Sequence, residues 1–169
     1  MSNQVYVGVD NGISGGLAAL SPAVGAGIIC MCTMPVQKTR KGNEINICAV
    51  WDFLERELFI SRNLSSITVI IEEPGGSKSA SAATSMAGSF HALRAMCELK
   101  GVRHLRITPQ AWQKPMLNAA AGDTKPAALT KARSLWPQEN WLASPRCKTP
   151  HSGLVDAALI SEYARIKNL

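Results

Sequence analysis

Acidic residues at the ends of apolar runs are the clearest candidates for chemistry in this chain. Asp10 closes the β-branched run at residues 5–9 and opens a glycine-rich turn, and Glu72 closes a second apolar run at residues 67–71. A strand end displays its side chain where a buried strand meets solvent. Asp156 lies inside an apolar helical stretch, where an unpaired buried charge is costly. Each acid is therefore a candidate site residue.

Three separated acids that converge over one sheet would form a divalent-metal site. Carboxylate oxygens suit Mg²⁺ or Mn²⁺, which keep open positions for water and phosphate. The sequence therefore predicts a divalent-metal site. The plainer alternatives are a turn-forming aspartate at position 10 and solvated acids at the other two positions.

Length and composition favour one globular domain over residues 1–169. The chain is 46% hydrophobic and 18% charged. No apolar run approaches the roughly 20 residues that cross a bilayer, and the N-terminal residues lack a basic flank before an apolar stretch, so we expect a cytoplasmic location and no membrane partner. The five cysteines show neither C-x-x-C pairs nor zinc-finger spacing, which favours reduced, mostly buried thiols.

The excess positive charge is concentrated in one third of the chain. The formal net charge is +6, and residues 100–150 carry nine Lys or Arg against two acids, whereas the remaining residues carry nine against ten. A concentrated basic segment is typical of a polyanion partner, of which nucleic acid is the commonest. A solvated basic face is the plainer alternative.

The order of predicted elements indicates a mixed sheet flanked by helices. Short connections make three antiparallel strands of residues 4–9, 16–21 and 26–34. A loop with Lys38, Arg40 and Lys41 follows, and helical spacing then predicts a helix over 46–61 that Asn46 caps. We expect further strands at 67–72 and 103–107, and helical segments at 79–99, 109–118, 124–136 and 153–167.

That order resembles the ribonuclease H-like fold, an α/β fold whose mixed five-stranded sheet has three antiparallel and then two parallel strands, flanked by helices. More narrowly, nearly the whole chain is similar to the RuvC type of Holliday junction resolvase in its short, phage-borne form. The motifs that carry the resemblance are VDNGISGG at 9–16, IEEP at 71–74, TPQAWQK at 108–114, GDTK at 122–125 and GLVDAALI at 153–160.

The resemblance implies a Mg²⁺-dependent, structure-selective endonuclease that nicks opposing strands of a four-way DNA junction. It implies that Asp10 bridges two metal ions and that Glu72 and Asp156 complete the ligand set. It also implies that Lys114 and Lys125 lie near the scissile phosphate, where an ammonium offsets developing charge. Because a junction needs two symmetric cuts, we expect a homodimer.

The fourth metal ligand is where this chain departs from the family pattern. These resolvases usually carry an acid or a histidine three or four residues before the final aspartate, and this chain has Gly153 and Ser152 there. His151, five residues before Asp156, is either a metal ligand or a helix cap or DNA contact. Trp112 is expected to pack under its loop rather than to stack on a base.

The predicted DNA contacts come from three places. They are the basic loop after the third strand, the loop that follows Glu72, and the basic third of the chain. The residues concerned are Lys38, Arg40, Lys41, Ser77, Lys78, Lys114, Lys125 and Lys131.

Three alternatives differ from junction resolution in class. A related metal nuclease for forks, flaps or RNA–DNA hybrids would have the same active site and differ only in substrate geometry. A sugar-kinase-like or actin-like protein also has Asp-x-Gly before a glycine-rich hairpin, but it needs two such domains, and 169 residues supply one. The third alternative is a catalytically idle module that binds DNA junctions.

Overall fold

A computed structural model describes residues 4–22, 27–40, 42–60, 62–76, 79–117 and 124–169. This part of the chain forms seven strands and five α-helices. In chain order the elements are β1 (Val5–Asp10), β2 (Gly16–Leu20), β3 (Ile28–Thr33), β4 (Val36–Thr39), β5 (Gly42–Ile45), α1 (Ile47–Leu54), β6 (Ile67–Glu72), α2 (Ala80–Leu99), β7 (Arg103–Ile107), α3 (Pro109–Leu117), α4 (Thr124–Leu135) and α5 (Ser152–Lys167).

The main sheet has five strands in the order β3-β2-β1-β6-β7. Strands β1, β2 and β3 pair antiparallel, whereas β6 runs parallel to both β1 and β7. This is the predicted mixed sheet. In the parallel register Val9 lies beside Ile71, so the next residues, Asp10 and Glu72, end neighbouring strands at the same edge.

Both faces of the sheet are covered, which explains why its central strands are apolar throughout. On one face, alternate residues such as Tyr6 and Ile70 pack against helices α3, α4 and α5. On the other face, Val7, Val69 and their neighbours pack against α1 and α2. Alternation of side chains along each strand divides the core in this way.

Helix α5 crosses β1 and β2 at very short range, and a glycine permits the crossing. A Cβ atom at Gly8 would overlap the backbone carbonyl of Ala157. Just beyond this contact, the buried hydroxyl of Ser161 accepts from the Gly8 N–H and donates to the Ala18 carbonyl at 2.7 Å. These hydrogen bonds satisfy buried polar groups and fix α5 on the sheet.

The structure corrects the prediction of a loop between the third strand and the first helix. Residues Val36–Thr39 and Gly42–Ile45 pair as an antiparallel hairpin, β4–β5, in a separate two-stranded sheet. Gly42 has φ of +129°, a conformation that side-chain-bearing residues rarely adopt, and the Thr39 hydroxyl donates to its carbonyl at 3.0 Å. Polar residues on both strands hide this hairpin from an argument based on apolar runs.

Other predictions are confirmed within a few residues. The Asn46 side chain caps α1 by accepting from the Ala49 N–H at 3.1 Å, and the helix then continues into a π-helical turn at Glu55–Phe59. All five cysteines are free thiols, although Cys97 alone is fully buried. The described residues include no helix that is long and apolar enough to cross a membrane.

Candidate active site

The three predicted acids come from three elements that meet at one edge of the sheet. Asp10 and Glu72 end the parallel neighbours β1 and β6, and Asp156 lies in the second turn of α5. The buried amide of Asn11 donates to the Glu72 carbonyl at 2.5 Å and so links the two strand ends. At the start of α5, Gly153 packs directly on the backbone of the turn that follows Asp10.

The three carboxylates are near enough to influence one another's pKa values. Burial raises the pKa of Glu72, the hydrogen bond from Trp112 lowers it, and the charges of Asp10 and Asp156 raise it, with a net result of about 7. Burial and the charge of Asp10 raise the pKa of Asp156 to about 7. The pKa of Asp10 is also raised by burial, although a hydrogen bond from the Gly12 N–H opposes the rise. The acids therefore form one cluster of mutually repelling charges.

Two basic side chains partly offset this repulsion. Lys125, in the first turn of α4, lowers the pKa of both Asp10 and Asp156. His151 lowers the pKa of Asp10. The predicted role of Lys125 beside the scissile phosphate stays a prediction.

His151 occupies the N-cap position of α5 without capping the helix through its side chain. Its backbone N–H donates to the Trp141 carbonyl at 2.7 Å. Its Nδ1 atom is buried and has no hydrogen-bond partner in the described part of the chain. The side-chain cap is therefore not observed, whereas metal ligation and DNA contact both stay open.

The donor set fits Mg²⁺ or Mn²⁺ in its chemistry. Three partly buried carboxylates supply hard oxygen ligands, and the unpartnered imidazole nitrogen of His151 is a further donor. A divalent cation would relieve the repulsion that raises the carboxylate pKa values. Within the described ranges, no three His, Cys, Asp or Glu side chains already form a group that could hold an ion. Binding would therefore have to draw the donors closer together.

Trp112 makes a contact that the sequence analysis missed. It is 1% exposed and packs in the core, as predicted, and its indole Nε1–H donates to Glu72 Oε1 at 2.6 Å. A buried tryptophan usually finds an acceptor for its N–H group. That rule, applied to a tryptophan two residues from Lys114, is the sequence signal from which a polar contact of Trp112 near the site could have been predicted.

The remaining predicted contacts are spread over the surface. Lys114 is exposed on α3, and Lys131 is partly buried on α4. Lys38 and Arg40 are exposed on the β4–β5 hairpin. The three others, Lys41, Ser77 and Lys78, lie outside the described residues.

A cavity of about 420 Å³ opens beside the acid cluster. Lys125 and Asp156 form part of its wall, and apolar side chains from α4 and α5, including Leu129 and Val155, form most of the remainder. Of the three acids, Asp156 lines this concave surface.

Several solved structures share this architecture over nearly the whole chain. The Thermus thermophilus RuvC in complex with Holliday junction substrate matches with a TM-score of 0.66 and 17% identity, over 98% of this chain and 96% of the other. Another structure of Thermus thermophilus RuvC matches with a TM-score of 0.60 and 16% identity, over 98% and 97%. The yeast mitochondrial Holliday junction resolvase Ydc2 matches with a TM-score of 0.61 and 13% identity, over 98% and 81%.

The chain therefore has the ribonuclease H-like fold of these resolvases, and the predicted resemblance to the RuvC type is confirmed at the level of fold. No model of a known protein family matches the chain, and no curated protein matches it in sequence.

Proposed function

We propose that this protein is a divalent-metal-dependent endonuclease that resolves four-way DNA junctions by paired nicks. The observation that carries the proposal is the cluster of three coupled carboxylates, which β1, β6 and α5 supply on a fold shared with known resolvases. Such a cluster is costly to bury without a cation, so it points to a bound metal rather than to a structural role.

Each residue has a distinct role in the proposed reaction. Asp10, Glu72 and Asp156 would hold Mg²⁺ or Mn²⁺, with His151 as a further candidate ligand. When bound, the ions supply an activated water and neutralise the leaving oxygen. The Lys125 ammonium, which already faces Asp10 and Asp156, would bind an oxygen of the scissile phosphate. Lys114 would contact the same strand of DNA.

The proposed substrate is branched DNA bound by a homodimer. The basic third of the chain supplies the charge that a polyanion requires. A two-fold dimer would present two active sites with the symmetry of a four-way junction. The proposed setting is DNA recombination and repair or phage replication, in the cytoplasm.

The decisive experiment is cleavage of a panel of synthetic DNAs with Mg²⁺ or Mn²⁺. The panel contains a four-way junction, a fork, a flap and a linear duplex, and Asp10→Asn is the control variant. We expect paired nicks in the four-way junction. Because loss of an outer-shell partner of a metal already costs about 10–100-fold, loss of Asp10 should reduce cleavage by about 100-fold or more. An unchanged rate in Asp10→Asn would exclude this active site, and equal cleavage of linear duplex would exclude structure selectivity.

A second candidate function is a catalytically idle module that binds DNA junctions. Two observations favour it: the described residues contain no ready-made group of three metal ligands, and Gly153 stands three residues before Asp156. The same panel separates the candidates. Tight junction binding without cleavage in either metal would support the idle module.

A further inference from the structure

We propose that Trp112 is a positioning residue for the active site, and that its indole N–H group restrains the Glu72 carboxylate so that the carboxylate is available to a metal ion at the acid cluster. This inference rests on the proposed function and deepens it. It concerns a residue that never touches the substrate and that acts through Glu72.

The contact between the two side chains is short and partly buried. The Trp112 Nε1 atom lies 2.6 Å from Glu72 Oε1, below the usual 2.7–3.2 Å range for N–H···O hydrogen bonds. Hydrogen bonds to ionised acceptors are both shorter and stronger than neutral ones. Since Trp112 is 1% exposed, water cannot readily replace the carboxylate as its partner. The hydrogen bond therefore restricts the Glu72 side chain through one of its two carboxylate oxygens.

Local structure explains why the indole lies beside Glu72. In the sheet, Glu72 pairs with Ile107, the last residue of β7. Helix α3 begins two residues later, where Thr108 Oγ1 accepts from the Ala111 N–H at 3.4 Å. Because this connection is short, the first turn of α3 lies beside the end of β6, and Trp112 is on the buried face of that turn.

Glu72 is fixed at two levels by two different residues. Asn11, which is 2% exposed, donates to the Glu72 backbone carbonyl and fixes the main chain. Trp112 fixes the side chain. A glutamate has three rotatable side-chain bonds, so a fixed backbone does not by itself orient its carboxylate. A hydrogen bond from a residue outside the ligand set usually fixes the orientation of a metal-binding side chain. Losing such a bond typically lowers metal affinity or activity about 10–100-fold.

The test is Mn²⁺ binding, measured by calorimetry without DNA. Trp112→Phe keeps an aromatic ring in the core and removes the N–H group, and we expect it to weaken Mn²⁺ binding about tenfold. Trp136→Phe is the matched control, because it removes another buried indole from the same core cluster. We expect that control to bind Mn²⁺ within about twofold of the wild type. Equal weakening in both variants would mean a general packing effect and would overturn the inference.

A double-mutant cycle tests whether Trp112 acts through Glu72. In a Glu72→Ala background, Trp112→Phe should cause no further loss of Mn²⁺ affinity, because the acceptor is already absent. The same fractional loss in both backgrounds would show that Trp112 does not act through Glu72.

A second readout keeps this inference separate from the proposed function. The indole ¹H–¹⁵N resonance of Trp112 is identified by its loss in Trp112→Phe, and it should shift in Glu72→Ala whether or not metal binds. If the wild type binds no Mn²⁺ but the resonance shifts, the metal-dependent function fails and the hydrogen bond stands. If the Trp112 indole resonance does not shift in Glu72→Ala, the positioning role is overturned.

Discussion

Glu72 and Asp156 lie in surroundings that disfavour their charged forms. Burial raises the pKa of each to about 7, from ordinary values of 4.5 and 3.8. The folded state therefore binds more protons than the unfolded state between about pH 4 and pH 7. Without metal, burying the two charged carboxylates destabilises the folded state. This destabilisation is absent at pH values below the pKa values of the acids in the unfolded chain, grows as the pH rises and is fully present above pH 7. The acids thus reduce the stability of the metal-free protein at neutral pH.

Glu72→Gln should therefore stabilise the metal-free protein at alkaline pH. Glutamine keeps the shape and can still accept from Trp112, but it carries no charge to bury. One unit of pKa corresponds to about 1.4 kcal/mol, so after allowance for screening by solvent we expect a gain of about 1–2 kcal/mol at pH 8 that vanishes near pH 4. Urea unfolding in a chelator measures it. Glu73→Gln, whose partly exposed carboxylate faces Arg106 at 3.5 Å, is the control. A pH-independent difference would contradict the argument.

Lys125 and Lys131 lie on the same helix but should differ in effect. Lys125 is coupled to the acids, so Lys125→Ala should remove a charge that stabilises the transition state and slow cleavage by about 100-fold. Lys131→Ala should leave the rate of the bound complex unchanged and only weaken binding. Single-turnover rates and junction affinities, measured on both variants, separate the two effects. If Lys125→Ala lost cleavage rate and junction affinity equally, Lys125 would contribute to DNA binding and not to the chemical step.

At the scale of elements, the site depends on how closely α5 approaches the sheet. Asp156 reaches the ends of β1 and β6 because Gly8 allows the Ala157 carbonyl to approach β1 and because Ser161 forms hydrogen bonds with β1 and β2. Packing at this density does not tolerate an extra carbon atom on the backbone. One glycine thus determines the position of a carboxylate on another element.

Gly8→Ala should consequently destabilise the whole protein. The added methyl group would overlap backbone atoms that cannot move independently, and we expect a loss of about 3 kcal/mol or more. Gly88→Ala, in the middle of α2, provides the contrast, because a Cβ atom there meets nothing within 4 Å. That control should gain about 0.5–1 kcal/mol from helix propensity. Urea unfolding of both variants measures the difference, and a neutral Gly8→Ala would mean that α5 is not tightly packed.

Most elements that the sequence predicted lie within about two residues of their predicted positions. Strands β1, β2 and β6 and helix α5 are the clearest cases, because runs of buried apolar residues identify them directly. The β4–β5 hairpin was missed because its outward side chains are polar and Gly42 determines its turn. Strand and helix patterns also sufficed to bring three acids to one edge. They could not reveal the hydrogen bond from Trp112 to Glu72, which depends on how α3 folds back on the sheet.

At the scale of the whole molecule, part of the concentrated positive charge lies on one face of the sheet. Residues 100–150 hold the whole excess of positive charge, and four of their nine basic residues lie on α3 and α4, which pack with α5 on the same face. The β4–β5 hairpin adds Lys38 and Arg40 from a separate small sheet. A polyanion bound across the acid cluster would therefore meet the basic residues of the helices, and the hairpin is a second candidate contact surface.

Salt dependence can determine whether the hairpin contacts DNA. Each phosphate that a protein neutralises adds about 0.9 to the slope of log affinity against log salt on duplex DNA. Removing Lys38 and Arg40 together by substitution with glutamine should therefore lower the slope for four-way junction binding by up to about 2. The matched control replaces Arg56 and Arg94, which form ion pairs with Glu57 and Glu98, and should change the slope little. Fluorescence anisotropy in the presence of a chelator measures binding without cleavage. If both double variants keep the wild-type slope, the hairpin lies off the DNA, and the helical surface alone accounts for binding.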